Sequence, residues 1–129
     1  LAAQQDDIFF IPPSFSAYVN ADRNRLLQII ENLVNNARKY AKSRIDVSLS
    51  RENGTVCLKI RDYGGGIPDE DMPFIFDKFY RGKNCGSEQG TGLGLYIVKY
   101  LAEKMGGSIL LHNHTSGLEA VVSLPMEKN

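Results

Sequence analysis

Between Ile45 and Asp62, hydrophobic and polar residues alternate almost without fault. Ile45, Val47 and Leu49 stand against Asp46, Ser48 and Ser50, and Val56, Leu58 and Ile60 share one face of TVCLKIRD. Strict alternation reads as strands with one dry face and one wet face, and Asn53-Gly54 between them is a hairpin signal. Elsewhere the period changes. Leu26, Ile30, Leu33, Ala37 and Ala41 recur at helical spacing behind Asp22, a residue suited to capping, which predicts a helix from near Arg23 to near Ala41. Leu93, Ile97, Val98, Leu101 and Met105 repeat that spacing, and Gly106-Gly107 ends the run. Ile8 to Ile11 and Phe15 to Val19, separated by Pro12-Pro13, read as two short strands. SILLHNH and LEAVVSLP read as two more, turned at Thr115-Ser116-Gly117. Residues 64–90 read as loop, interrupted by the apolar piece PFIFDKFY. The order β-β-α-β-β-loop-α-β-β predicts an α/β two-layer sandwich, a mixed and largely antiparallel sheet with helices on one face.

Bulk properties narrow this picture only slightly. The chain has 129 residues, enough for one domain with one core. Fifteen basic residues balance 15 acidic ones, so the cationic surplus of a nucleic-acid module is missing and no nucleic-acid partner is expected. No apolar run approaches the roughly 20 residues of a membrane span, and no signal-peptide pattern opens the chain. The opening LAAQQDD reads as a cut through a longer protein, so residues 1–129 are expected to be a single domain of it. Cys57 and Cys85 lack metal or redox spacing and read as free thiols.

The chemistry lies in polar and glycine residues that break the pattern. Asn32, Asn36 and Lys39 fall within about 60° of each other around the first helix. Amide oxygens suit Mg²⁺ and a lysine suits phosphate, although a solvated helix face accounts for the same pattern. DYGGGIP, Asp62 to Pro68, sets a carboxylate at a strand end beside a backbone that other groups can approach closely. Such a carboxylate can accept from an exocyclic amine like that of adenine; a plain glycine turn is the alternative. GTGLGLYIVKY, Gly90 to Tyr100, places Gly90, Gly92 and Gly94 where a helix begins. Free N–H groups and the helix dipole make that end an anion site. Other phosphate loops fit worse: Leu95 and Tyr96 stand where a Walker loop needs Lys and Ser or Thr, and Leu95 also breaks the dinucleotide Gly-x-Gly-x-x-Gly spacing. His112 and His114 share one strand face but have no third metal ligand, and read as a wet face.

The order of these features is more specific than any one of them. The chain resembles the catalytic, ATP-binding domain of sensor histidine kinases, within the ATPase superfamily that also holds gyrase, Hsp90 and MutL. NLVNNARKY matches the N box, DYGGGIP the first glycine box, FDKFYRG the F box and GTGLGL the second glycine box, and VVSLP looks like the last strand. The resemblance runs from about Val19 to Pro125. It implies a Bergerat-type ATP-binding fold that binds ATP with Mg²⁺ and passes the γ-phosphate to a histidine. Asn36 would hold Mg²⁺, with Asn32 lining the same site. Lys39 would contact phosphate, and Tyr40, Ile67, Thr91 and Leu93 the nucleotide. Asp62 would accept from the adenine amine, with Gly64 and Gly66 letting the base close in. Gly90, Gly92 and Gly94 would frame the phosphates, Arg81 would approach the γ-phosphate, and residues 81–90 would form a mobile lid.

The implied partners are a dimerisation and phosphoacceptor helical hairpin of the parent chain and, through it, a response regulator. The domain itself would touch no membrane and would be cytoplasmic, with the parent either soluble or membrane-anchored. His112 and His114 are followed by Asn113 and Thr115 rather than an acid, which makes them poor phosphoacceptors. The hydrolytic clamps of the superfamily carry a glutamate four residues before the metal-binding asparagine. Here that position is Asn32, and Glu31 is about 100° away around the helix. The chain departs from the kinase pattern at Tyr63, where asparagine is common, and at Leu118, where a small hydroxyl residue is frequent.

Overall fold

The chain is known from a computed structural model, and the structure describes residues 8–40, 44–78 and 94–127, without the side chains of Lys39 and Tyr40. The elements are β1 (Ile8–Ile11), α1 (Arg23–Tyr40), β2 (Ile45–Glu52), β3 (Thr55–Asp62), a 3-10 turn (Met72–Phe74), α2 (Gly94–Lys104), β4 (Ser108–His114) and β5 (Gly117–Pro125). The five strands form one sheet in the order β1-β2-β3-β5-β4. β1 runs parallel to β2, with α1 as the crossover between them, and every other pairing is antiparallel.

Local sequence accounts for most boundaries. Asp22 Oδ1 accepts the N–H groups of Asn24 at 2.8 Å and Arg25 at 3.3 Å, two donors that the first turn of α1 cannot use. Asn53 at φ 48° and Gly54 at φ 77° turn the β2–β3 hairpin in two residues, with Glu52 opposite Thr55. At the end of α2 the Gly107 N–H reaches the Ala102 carbonyl at 2.8 Å and the Gly106 N–H the Glu103 carbonyl at 3.0 Å, with Gly106 at φ 80°. This is a Schellman stop.

Ile29, Leu33 and Ala37 of α1 meet Val98, Leu101 and Ala102 of α2 above Ile45, Leu58, Ile60, Ile109, Ala120, Val122 and Leu124 of the sheet. Burying each large aliphatic residue contributes about 1.5–3 kcal/mol. Ile29 is fully buried although the helical stripe read from the sequence passes over it. Ile29 and Ile30 are equally apolar and about 100° apart, so only packing against the neighbouring elements selects between them. Ala41 and Leu93, at the two ends of those stripes, lie outside the described residues.

Phe15 to Val19 is not a strand. Its side chains do alternate, with Phe15, Ala17 and Val19 half-buried and Ser16 and Tyr18 exposed. The backbone, however, finds only the single bridge Val19–Met126. Pro12 and Pro13 cannot donate to a ladder, and β2 is already flanked by β1 and β3. The segment buries alternate residues without joining a sheet ladder.

Candidate functional site

Three parts of the chain converge at one end of the sandwich. Ile45 pairs with Asp62, and only residues 41–44 separate Ile45 from α1, so the last turns of α1 lie at the Asp62 end of the sheet. His114 pairs with Gly117 at the same end, where Gly117 presses on the Asp62 backbone. Leu95, in the first turn of α2, packs on Ile67, Ile75 and Leu118 of that corner. The end of α1, Asp62 to Ile67 and the first turn of α2 thereby lie at one end of the sandwich.

Asp62 is the centre of this corner. It is 1% exposed, and its Oδ1 accepts the Gly64 N–H at 3.1 Å and the Leu118 N–H at 3.2 Å. Both bonds fall on one oxygen, which leaves Oδ2 available to another donor. Burial pushes the carboxyl above its ordinary range, against the downward pull of those two N–H groups and of the Arg61 charge. A buried, electron-rich oxygen is suited to an amine donor. The backbone around it is built for close approach. Gly66 has φ +75°, and a Cβ there would lie 2.6 Å from Asn113 Oδ1. Gly117 has φ +104°, and a Cβ there would collide with the Asp62 carbonyl oxygen. By contrast, Cβ positions at Gly65 and Gly94 face open space.

Along α1, Asn32 and Asn36 are half-buried and Glu31 is exposed. Asn32 and Glu31 therefore point to different surroundings, and Glu31 does not take the place of a glutamate at position 32. The Nδ2 of Asn32 is buried without a hydrogen-bond partner among the described residues. An orphaned buried amide is what a site for a polar ligand leaves behind when protein groups alone are counted. Among the described residues no group of three or more His, Cys, Asp and Glu side chains could hold a metal ion. Arg81, Gly90, Thr91, Gly92 and Leu93, with the 81–90 segment, lie outside the described residues, as do Cys85 and the side chains of Lys39 and Tyr40.

Four contributors were not singled out as site residues in the sequence. Leu118 supplies its N–H to Asp62, which any residue at that position except proline could do, while its side chain joins Ile67 and Ile75. Arg61 donates from Nε to the Asp62 carbonyl at 3.0 Å and from Nη2 to the Ser116 carbonyl at 2.8 Å, tying β3 to the β4–β5 turn. Gly117 gives Asp62 its clearance. Asn113 bonds the backbone of Ile67 on both sides. The only hint of Asn113 in the sequence is a short amide between two histidines in a strand.

Tyr63 turns away from this corner. It is 41% exposed and lies on the open face of the sheet, where its hydroxyl donates to Asp46 Oδ2 at 2.7 Å. Arg61 stands 4.6 Å and Arg44 6.0 Å from its ring centre. Arg44 donates to Asp46 Oδ1 at 2.7 Å and holds that carboxyl below its usual range. His112 and His114 are exposed, and His114 Nε2 lies 3.3 Å from Glu119 Oε1. Cys57 is a half-buried free thiol 3.6 Å from Ser123 Oγ. No helix among the described residues is long and apolar enough to cross a membrane.

The chain is similar to known proteins in sequence and fold. Residues 21–128 match the model of the histidine kinase-, DNA gyrase B- and HSP90-like ATPases. The sensor histidine kinase YkoH of Bacillus subtilis is 39% identical over 104 residues, covering 79% of this chain and 23% of its own length. The mycobacterial sensor histidine kinase MprB superposes with a TM-score of 0.83 at 28% identity, over 98% of this chain and 89% of that one. Full-length ShkA in complex with AMPPNP superposes with a TM-score of 0.82 at 28% identity, over 95% of this chain and 26% of that one. The chain thus spans about a quarter of the length of a curated relative such as YkoH.

Proposed function

The chain belongs to the histidine kinase-, DNA gyrase B- and HSP90-like ATPase family, and from that premise we propose that it is the ATP-binding, phosphate-donating domain of a sensor histidine kinase. It binds ATP with Mg²⁺ and delivers the γ-phosphate to a histidine on a separate helical hairpin of the parent chain, which in turn serves a response regulator. The observation that carries this reading is Asp62, a buried carboxylate with one oxygen uncommitted, followed by the glycine run Gly64 to Gly66. That oxygen takes the adenine amino group, and Gly64, Gly66 and Ile67 form the wall against which the ring lies.

The phosphates extend from there toward α1 and the start of α2. Asn36 offers a hard amide oxygen to Mg²⁺, which when bound offsets the negative charge of the phosphates. Asn32, whose amide nitrogen has no hydrogen-bond partner among the described residues, faces the same ligand. Lys39 and Tyr40 contact phosphate and nucleotide, and Gly90, Thr91, Gly92, Leu93 and Gly94 frame the phosphates with backbone N–H groups. Arg81 stabilises charge spread over the γ-phosphoryl group as it leaves. The exposed Glu31 gives no support to a hydrolytic clamp, because the position that would activate water is an amide. We place the domain in the cytoplasm, in a parent that can be membrane-anchored.

The test uses Asn36→Ala and a histidine-bearing hairpin from the parent kinase supplied in trans. With labelled ATP the unmodified chain should label the hairpin and leave itself unlabelled. Asn36→Ala should abolish transfer yet still bind ADP in EDTA, since its loss is felt only where metal matters. Acid-labile label on the isolated chain, or transfer that survives the substitution, overturns the assignment.

A further inference from the structure

Asn113 is the penultimate residue of β4, opposite Leu118. Its Nδ2 donates to the Ile67 carbonyl at 2.7 Å, and its Oδ1 accepts the Ile67 N–H at 3.0 Å. A reversed amide would set oxygen against oxygen and N–H against N–H, so the two bonds fix its orientation. One donor and one acceptor aimed at a single residue is what a neighbouring strand offers at a hydrogen-bonded rung. The side chain thus adds one rung to the sheet, in a loop that has no ladder partner of its own.

The loop it holds needs such a tie. Gly64, Gly65 and Gly66 precede Ile67, and three successive glycines lose more backbone freedom on ordering than any other tripeptide. Ile67 is anchored on its other side by Ile75 and Leu118 in a small apolar cluster. Leu118 also donates to Asp62. The links therefore close a circuit: Asp62 to the Leu118 N–H, Leu118 across the strands to Asn113, Asn113 to Ile67, and Ile67 back through the glycines to Asp62. Gly66 fits inside it only without a Cβ.

We infer that Asn113 is a positioning residue that holds the Gly64–Ile67 loop in place for a purine base, so that affinity for the base, and not for the phosphates, depends on its side-chain amide. This rests on the reading that Asp62 takes the adenine amine. With the loop untethered, the ligand must order the glycines as it binds, and that cost is subtracted from affinity. Asn113 touches no ligand itself and acts through Ile67.

The experiment is calorimetric titration of the 129-residue chain and its Asn113→Ala and Asn113→Asp variants with ATP, adenosine and inorganic triphosphate. Amide exchange is followed at Ile67. In Asn113→Ala, adenosine and ATP should bind about tenfold more weakly, and in Asn113→Asp at least as weakly, because a carboxylate would face the Ile67 carbonyl. Triphosphate affinity should stay within about twofold. Base affinity that holds while Ile67 exchange accelerates would make the tie purely structural and overturn the inference. So would an equal loss for triphosphate and adenosine. Should Asn113→Ala fail to fold, Asn113→Asp, which keeps the side-chain size but loses the donor to the Ile67 carbonyl, carries the same comparison. An unmodified chain that binds triphosphate but no adenosine removes the base-site reading itself. An unmodified chain that binds adenosine, with variants that bind it equally, removes only the role of Asn113.

Discussion

Asp46 and Asp62 sit on adjacent strands one rung apart and live opposite lives. Asp46, on the open face, has both oxygens committed, Oδ1 to Arg44 and Oδ2 to the Tyr63 hydroxyl, and its carboxyl is held below the usual range. Asp62, turned inward, is almost wholly buried, takes two backbone donors on one oxygen and has its carboxyl pushed up. The first carboxylate is placed where ionisation helps the fold. The second is placed where ionisation works against it, and such a position persists when the strain serves a ligand. The difference separates a carboxylate that shapes the surface from one that we propose is held for a ligand.

The harshest way to break the contrast is Gly117→Ala. A Cβ there collides with the Asp62 carbonyl and sits at a φ that side chains rarely adopt. Strain and overpacking together should cost about 2–4 kcal/mol, read from urea unfolding. Adenine nucleotide affinity should fall with it, because the wall that supplies the Leu118 N–H must shift. Wild-type stability in this variant would show that β5 does not press on the Asp62 corner.

Asp62→Asn is the sharper instrument. Its remaining oxygen can still accept from Gly64 and Leu118, while its amide meets the adenine amine donor to donor. ATP affinity should drop about 10- to 100-fold, and the preference over GTP should vanish. The melting temperature should stay within about 5 °C of the parent or rise, since a buried charge is gone. The pH dependence follows from the raised carboxyl. From about 3.9, the ordinary unfolded value, up to the raised folded value, the native state binds the extra proton, so this group makes stability fall as pH rises. Asp62→Asn should remove that slope. A large loss of stability with unchanged nucleotide preference would reassign Asp62 to a turn cap.

Asp46→Asn should have the smallest effect, at most about 2–4 °C in melting temperature, with nucleotide affinity unchanged. Its pH signature has the opposite sign. The lowered folded value means that the contribution of Asp46 is present above about 3.9 and is lost as pH falls through the lowered value. Acid titration of the two variants side by side should therefore bend in opposite directions relative to the parent chain.

What could be read from the sequence follows from how local each determinant is. Asn53-Gly54 turned the hairpin as expected, and Asp22 and Gly106-Gly107 bound their helices, because each acts within a few residues. The place of Asp62 at a strand end was legible because the alternation that precedes it and the glycines that follow it form a local pattern. The clamp from Asn113 spans 46 residues of chain, and no local pattern announces such a bond. The same holds for Arg61 and the Ser116 carbonyl. Phe15 to Val19 shows the complementary failure. Its alternation correctly marks which side chains go inward, but ladder formation depends on a free neighbouring edge, which a single segment does not encode.

Tyr63 carries a consequence for how this chain can diverge. The carboxylate proposed to read the base is followed directly in the chain by a ring that faces solvent and two arginines. Neighbours in sequence are thus answerable to different selective pressures. Substitution at position 63 should alter the outer surface and leave nucleotide binding unchanged. A substitution at position 62 has no such latitude, so mutational tolerance should drop sharply between two adjacent codons.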